Sequence, residues 1–150
     1  MYRVLSPDGQ LFAYKRVEIR GGDDGENLCE SYINEIKLLQ NLKGSPYIIE
    51  LLDAEVDRDQ MYIAMVMEVG EIDLAKVLQK QMQLNKKTEG GAGGSGVSSL
   101  SPFFVRMVWQ EMLEAVDHIH MNRIVHGDLK PANFVFVKGH LKLIDFGIAK

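Results

Sequence analysis

Two short segments near the C-terminus gather the side chains best suited to polar chemistry. His126-Gly-Asp-Leu-Lys-Pro-Ala-Asn133 sets a carboxylate (Asp128), an ammonium two residues on (Lys130) and an amide oxygen (Asn133) within eight residues. Asp145-Phe-Gly147 supplies a second carboxylate, Asp145. Hard oxygen ligands of this kind suit Mg²⁺, which takes one or two carboxylates and completes its shell with water and phosphate oxygens. A free carboxylate beside such a site can orient a hydroxyl nucleophile, and a nearby lysine can neutralise phosphate charge. A hydrolase using Asp128 and Asp145 as acid and base is the competing chemistry, and Lys130 and Asn133 are superfluous to it. His118 and His120 have the wrong spacing for one helix face, so the four histidines are expected to be structural and metal-free.

The elements that must hold these groups are legible around them. Ser101-Pro102 reads as an N-cap followed by proline at the first helical position. The helix it opens is expected to run to about His120, with Val105, Val108, Met112, Ala115 and Ile119 on one face. Phe134-Val-Phe-Val, the Lys138-Gly-His turn and Leu141-Lys-Leu-Ile144 predict a hairpin. The first segment therefore lies between a helix and a hairpin and the second where the hairpin ends, in loops held by rigid elements.

Upstream, residues 10–19 alternate apolar and polar as a half-buried strand should, and Lys15 on such a strand reads by itself as a solvated charge. A Ser6-Pro-Asp-Gly9 turn separates that strand from a shorter one ending at Val4-Leu5. Residues 21–25 are expected as a polar loop. Apolar residues at 28, 32, 36, 39 and 42 predict a helix, and Glu35 falls on its apolar stripe. An unpaired carboxylate there would cost on the order of several kcal/mol, so Glu35 either finds a cation or reaches out to solvent at the edge of the stripe. Residues 48–52 and 61–67 predict two strands on either side of the Asp57-Arg-Asp59 turn, with Met61, Met65 and Met67 as core. Residues 72–84 predict a further helix. In 86–99, five of fourteen residues are glycine, which predicts a flexible insert.

Composition narrows the classes. The chain has 150 residues, 46% hydrophobic and 25% charged, with a formal charge of −4, as expected of a globular chain of one domain's length. Its longest apolar run, 61–67, is seven residues, far below the ~18 of a membrane span, and no signal peptide is evident at Met1. The lone Cys29 excludes an intrachain disulfide framework and fits a reducing, intracellular compartment, nucleus or cytoplasm. Basic and acidic side chains are interspersed, so no nucleic-acid or membrane partner is expected.

The sequence resembles the protein kinase superfamily. Its H-x-D-L-K-P-x-N segment followed by D-F-G matches nine residue types at set spacing. The resemblance implies an α+β, two-lobe fold: an antiparallel sheet plus one helix over residues 1–70, ending in a hinge, and a partial second lobe over 71–150. It implies ATP and Mg²⁺ as cofactors, and transfer of a phosphoryl group to a protein substrate. Asp128 would orient the substrate hydroxyl and accept its proton, Lys130 would steady the phosphoryl group, and Asn133 and Asp145 would hold Mg²⁺. Phe12-Ala-Tyr-Lys15 matches the strand whose lysine holds the nucleotide phosphates, and Glu35 would be its partner. Met67-Glu-Val-Gly70 falls at the hinge, so backbone groups of Glu68, Val69 and Gly70 would meet adenine, with Met67 as gatekeeper. Ala13 and Val135 would cover the two ring faces, and Asp73 would reach the ribose.

Within the superfamily the chain is most similar to the monopolar-spindle, dual-specificity kinases of the spindle checkpoint. Met65-Val-Met-Glu-Val-Gly-Glu-Ile-Asp-Leu74, Leu113-Glu-Ala-Val-Asp-His-Ile-His120 and the two catalytic segments carry that likeness. It implies kinetochore localisation. Gly127 stands where most kinases have arginine, which argues against switching through a phosphate gathered by that arginine. The glycine-rich loop would lie before Tyr2 and the activation segment after Lys150. The chain is therefore expected to be a piece of a kinase domain, whose helix 103–120 would expose apolar surface. A kinase-like binding module without catalysis is the alternative.

Overall fold

The computed structural model describes residues 1–19, 23–88 and 100–150. Strands β1 (Tyr2–Leu5), β2 (Leu11–Glu18), β3 (Leu51–Asp57) and β4 (Tyr62–Glu68) form an antiparallel sheet in the order β1-β2-β4-β3. Helix α1 (Asp23–Asn41) packs on β3 and β4. A second, three-stranded sheet joins β5 (Ile72–Asp73), β6 (Phe134–Val137) and β7 (His140–Leu143). Helices α2 (Leu74–Thr88) and α3 (Pro102–Met121) pack against it, α2 on β5 and β6 and α3 on β7.

The segment between α1 and β3 ties the two sheets together. Ile48 forms a parallel bridge to Leu143, Ile49 N–H donates to Leu143 O at 3.1 Å, and Leu143 N–H donates to Tyr47 O at 2.8 Å. Apolar residues from both sheets then make one core, from Leu39, Ile63 and Met65 through Ile48 to Ile119, Phe134 and Phe146. Burial of these side chains, about 1.5–3 kcal/mol each, fixes how the sheets sit against one another.

Several expectations move. Of the polar loop expected at 21–25, residues 21 and 22 lie outside the described residues and the rest is helical: α1 begins at Asp23. Leu28 is 40% exposed at the edge of the stripe, while Ile36, Leu39 and Leu42 are buried. The strand expected at 48–52 instead runs Leu51–Asp57, because Ile48 and Ile49 are taken by the bridge to β7. Met61 lies in the turn at φ 52°, where Asp59 N–H and Gln60 N–H both donate to Asp57 Oδ1. Ile72 and Asp73 pair with β6, so α2 begins at Leu74 and reaches Thr88; the rest of the glycine-rich stretch lies outside the described residues. On α3, Val108, Ala115 and Ile119 are buried, but Val105 is 45% exposed. It lines up at four-residue steps with Trp109 and Leu113, both exposed, on an apolar side of the helix.

Candidate active site

The catalytic-type loop is built mainly from local bonds. Beyond α3, Val125 and Lys150 exchange two backbone hydrogen bonds of 2.8 and 3.0 Å, which returns the chain after Asp145 to the start of the loop. His126, 1% exposed, sits between the two chemical segments. Its Nδ1 accepts from Asp128 N–H at 3.3 Å, so its Nε2 carries the proton toward Ile144 O at 3.0 Å. Its ring also meets the edge of buried Phe146, with centroids 5.0 Å apart. One imidazole thereby joins the loop bearing Asp128 to the segment bearing Asp145.

Asn133 is buried in a 3₁₀ turn, Pro131–Asn133. Its Nδ2 donates to Asp128 O at 2.8 Å and to Asp128 Oδ2 at 3.1 Å, which leaves the amide oxygen on the other arm of the group. Lys130 Nζ contacts Asp128 Oδ2 at 2.5 Å. This lysine, aided by Asn133, holds the Asp128 carboxyl below the usual carboxylate range, so it is ionised at neutral pH. Gly127 has φ +81°, a backbone state in which any side chain would be strained. Asp145 is exposed and takes φ 69°, which a short acidic side chain tolerates better than most.

The other residues line a cleft of about 510 Å³ between the two sheets. Ala13, Lys15, Glu35, Met67, Glu68, Val69, Gly70, Asp73, Val135 and Asp145 all border it. Lys15 Nζ lies 3.3 and 3.2 Å from the two oxygens of Glu35, which is 2% exposed. Glu35 thus meets a cation on its stripe and does not turn out to solvent. At Gly70 an added Cβ would stand 2.2 Å from Val135 Cγ2, so only glycine lets the chain run this close to the cleft wall. Asp73 caps α2 by accepting from Lys76 N–H at 2.9 Å and pairs with Lys76 Nζ at 2.8 Å; that bond lowers its pKa. Asp128, Lys130 and Asn133 are not among the lining residues of this cleft. They adjoin it through Ala132, which borders both the cleft and a depression lined by Lys130, Pro131 and α2.

Sequence reasoning missed five contributors. Arg3 lines the cleft and donates to Gly70 O and Glu71 O at 3.1 and 3.3 Å; its pairing opposite Ala13 in the sheet is the signal that would have found it. His126 stood in the motif without a role. Ser31 and Asn34 of α1 donate to Gly147 O and Ala149 O, at 2.5 and 3.1 Å. Lys142 pairs with Glu68, whose Oε1 also accepts Glu50 N–H at 2.8 Å. The last three depend on contacts between distant segments and have no local signature.

Among the described residues, no group of three or more His, Cys, Asp and Glu stands ready for a metal, and no helix is long and apolar enough to cross a membrane.

The protein kinase domain model matches residues 1–150. The probable serine/threonine-protein kinase mps1 of Dictyostelium discoideum is 46% identical, over 100% of this chain and 14% of that protein. The serine/threonine-protein kinase mph1 of Schizosaccharomyces pombe is 45% identical, over 100% of this chain and 20% of its own length. The mouse dual specificity protein kinase TTK is 43% identical, over 99% of this chain and 15% of its own. The chain thus spans 14–20% of the length of these relatives. A chain from the crystal structure of the yeast RNA Pol II CTD kinase CTDK-1 complex superposes with a TM-score of 0.69 at 26% identity, over 99% of this chain and 42% of that one. The α+β architecture is that of a partial two-lobe kinase fold, and with the family model matched along its whole length the chain belongs to the protein kinase domain family.

Proposed function

We propose that the protein transfers the γ-phosphoryl group of ATP to a serine or threonine hydroxyl of a protein substrate and, by likeness to its dual-specificity relative, also to tyrosine. The observation that carries this reading is the convergence on one cleft of Lys15, bound to buried Glu35, and of Asp145, with the Asp128–Lys130–Asn133 group adjoining it through Ala132.

Lys15 would bind the nucleotide phosphates, and Glu35 would hold its ammonium toward them. Ala13 and Val135 would cover the two faces of adenine, with Met67 behind the ring and the backbone of Glu68, Val69 and Gly70 at its edge. Glu68 N–H is engaged by Glu50 O at 3.0 Å, so its share of that edge is the carbonyl. Asp73 would meet the ribose only by sharing oxygens that Lys76 already holds. The amide oxygen of Asn133, left over from its bonds to Asp128, and the Asp145 carboxylate form a donor set that fits Mg²⁺, which expects phosphate and water to fill the rest of its shell. Bound there, the ion would supply neutralisation of charge on the phosphates. Asp128, already ionised, would orient the substrate hydroxyl and take its proton, while Lys130 would steady the transferring group.

The test is transfer of labelled phosphate from ATP to a casein substrate by the full-length protein. Asp128→Asn is expected to lower it by roughly 10²–10⁴-fold while ATP affinity is kept. ATP binding with no transfer by the unaltered protein would overturn the reading in favour of a nucleotide-binding module. By likeness to the monopolar-spindle kinases we place its substrates in spindle-checkpoint signalling. Recruitment of the tagged protein to unattached kinetochores supports that placement, and a diffuse distribution in mitosis overturns it.

A further inference from the structure

Lys15 is held less tightly by Glu35 than a well-made ion pair would hold it. Its two contacts, 3.2 and 3.3 Å, lie beyond the ~2.7–2.9 Å usual for an ammonium on a carboxylate. An ammonium has three donors on a flexible stem, so two long contacts to one carboxylate leave it free to swing. The side chain keeps 21% of its surface exposed, where Lys15 borders the cleft. A third group meets it. The ring of Tyr32 lies with its centroid 4.7 Å from Lys15 Nζ, within the ~6 Å at which a cation is drawn to the face of an aromatic ring. Tyr32 and Glu35 are three residues apart on α1 and so share one face of the helix. Tyr32 is also half-buried against the core, so its ring is fixed independently of Lys15.

We propose that Tyr32 is a positioning residue: its ring face holds the Lys15 ammonium in place between Glu35 and the cleft, and so strengthens binding of a triphosphate there. The consequence for nucleotide rests on the phosphoryl-transfer reading above; the placement of the ammonium on the ring does not. A ring face is attractive through its quadrupole, which a leucine of similar bulk lacks and a phenylalanine retains.

The experiment uses the full-length protein with Tyr32→Phe and Tyr32→Leu, each alone and with Lys15→Met, and titrates ATP with Mg²⁺. Tyr32→Leu is expected to weaken ATP binding roughly three- to tenfold, and Tyr32→Phe to restore it to within about twofold. With Lys15→Met in place, Tyr32→Leu is expected to have no further effect, since the partner it acts through is gone. Equal loss with Phe and Leu, or the same loss in the Lys15→Met background, would overturn the proposal by reducing Tyr32 to a packing residue. A second readout needs no nucleotide. Reductive ¹³C-methylation keeps the lysine charge, and the methyl signal of Lys15, assigned by its absence in Lys15→Arg, should be shifted upfield by the ring current. The shift is expected to persist in Tyr32→Phe and vanish in Tyr32→Leu; its absence from the unaltered protein would overturn the placement. If the unaltered protein binds no ATP while the methyl signal is shifted, the phosphoryl-transfer reading fails and the contact stands.

Discussion

Lys15 and Glu35 meet across twenty residues of chain with the carboxylate buried, whereas Asp128 and Lys130 meet two residues apart, both partly exposed. The first pair exists only if β2 and α1 are packed as they are, because each element brings one partner. The second is held within a single loop, where Asn133 reaches back five residues to the Asp128 carbonyl and carboxylate. A long-range buried pair is strongly coupled to the stability of the fold. A short-range exposed pair is coupled to chemistry and hardly at all to folding.

That contrast is sharpened first at Asp128. Asp128→Ala should remove transfer by roughly 10²–10⁴-fold in the full-length protein while leaving the denaturant midpoint almost unchanged, because the carboxylate is exposed and Asn133 still has the backbone carbonyl to bond. A large fall in the midpoint would break the comparison. Lys15→Met should behave the opposite way: it strands the Glu35 carboxylate, 2% exposed, and is expected to destabilise by about 3–5 kcal/mol in urea unfolding. Glu35→Gln leaves the partly exposed lysine to be hydrated and should cost clearly less. Equal costs for the two substitutions would show that the pair is not asymmetrically buried.

Smaller effects follow at the cleft wall and the loop. Gly70→Ala pushes a methyl to 2.2 Å from Val135 Cγ2 and is expected to destabilise by about 1–3 kcal/mol, with partial rescue by Val135→Ala. No rescue would mean that the backbone at Gly70 moves and Val135 does not resist. The smallest effect is on pH dependence. Asp128 has its pKa lowered by Lys130, so it stays ionised as pH falls through the usual carboxylate range. Lys130→Met removes that cation, raises the Asp128 pKa toward its ordinary value, and should move the acid limb of the kcat/KM profile to higher pH. A limb that stays in place would show that another group sets it.

How far the sequence could be read depended on the range of the interactions concerned. The loop was legible because Asp128, Lys130 and Asn133 bond to one another within six residues, so motif and geometry are nearly the same information. The helix α1 was legible from its apolar spacing, and with it the burial of Glu35. The register of β3 was not, since Ile48 and Ile49 have the composition of a strand but are claimed by β7, nearly a hundred residues later. Val105 was misplaced for a related reason: helical periodicity names an apolar side, but which part of it is covered depends on what packs there, and here α3, packed on β7, buries Val108, Ala115 and Ile119 and leaves Val105 exposed.

By itself, then, the sequence determined the family, the order of the elements apart from the short β5, and the loop that carries Asp128, because these rest on residue types and on bonds between near neighbours. Only the tertiary structure decided that Lys15 lies between Glu35 and the ring of Tyr32. It alone made His126 the joint between the two chemical segments, and set Arg3 against the carbonyls of Gly70 and Glu71. Each of these is a contact between segments far apart in the chain, and its geometry is set by how sheets and helices pack to bury one shared core, a choice no local pattern of residues contains.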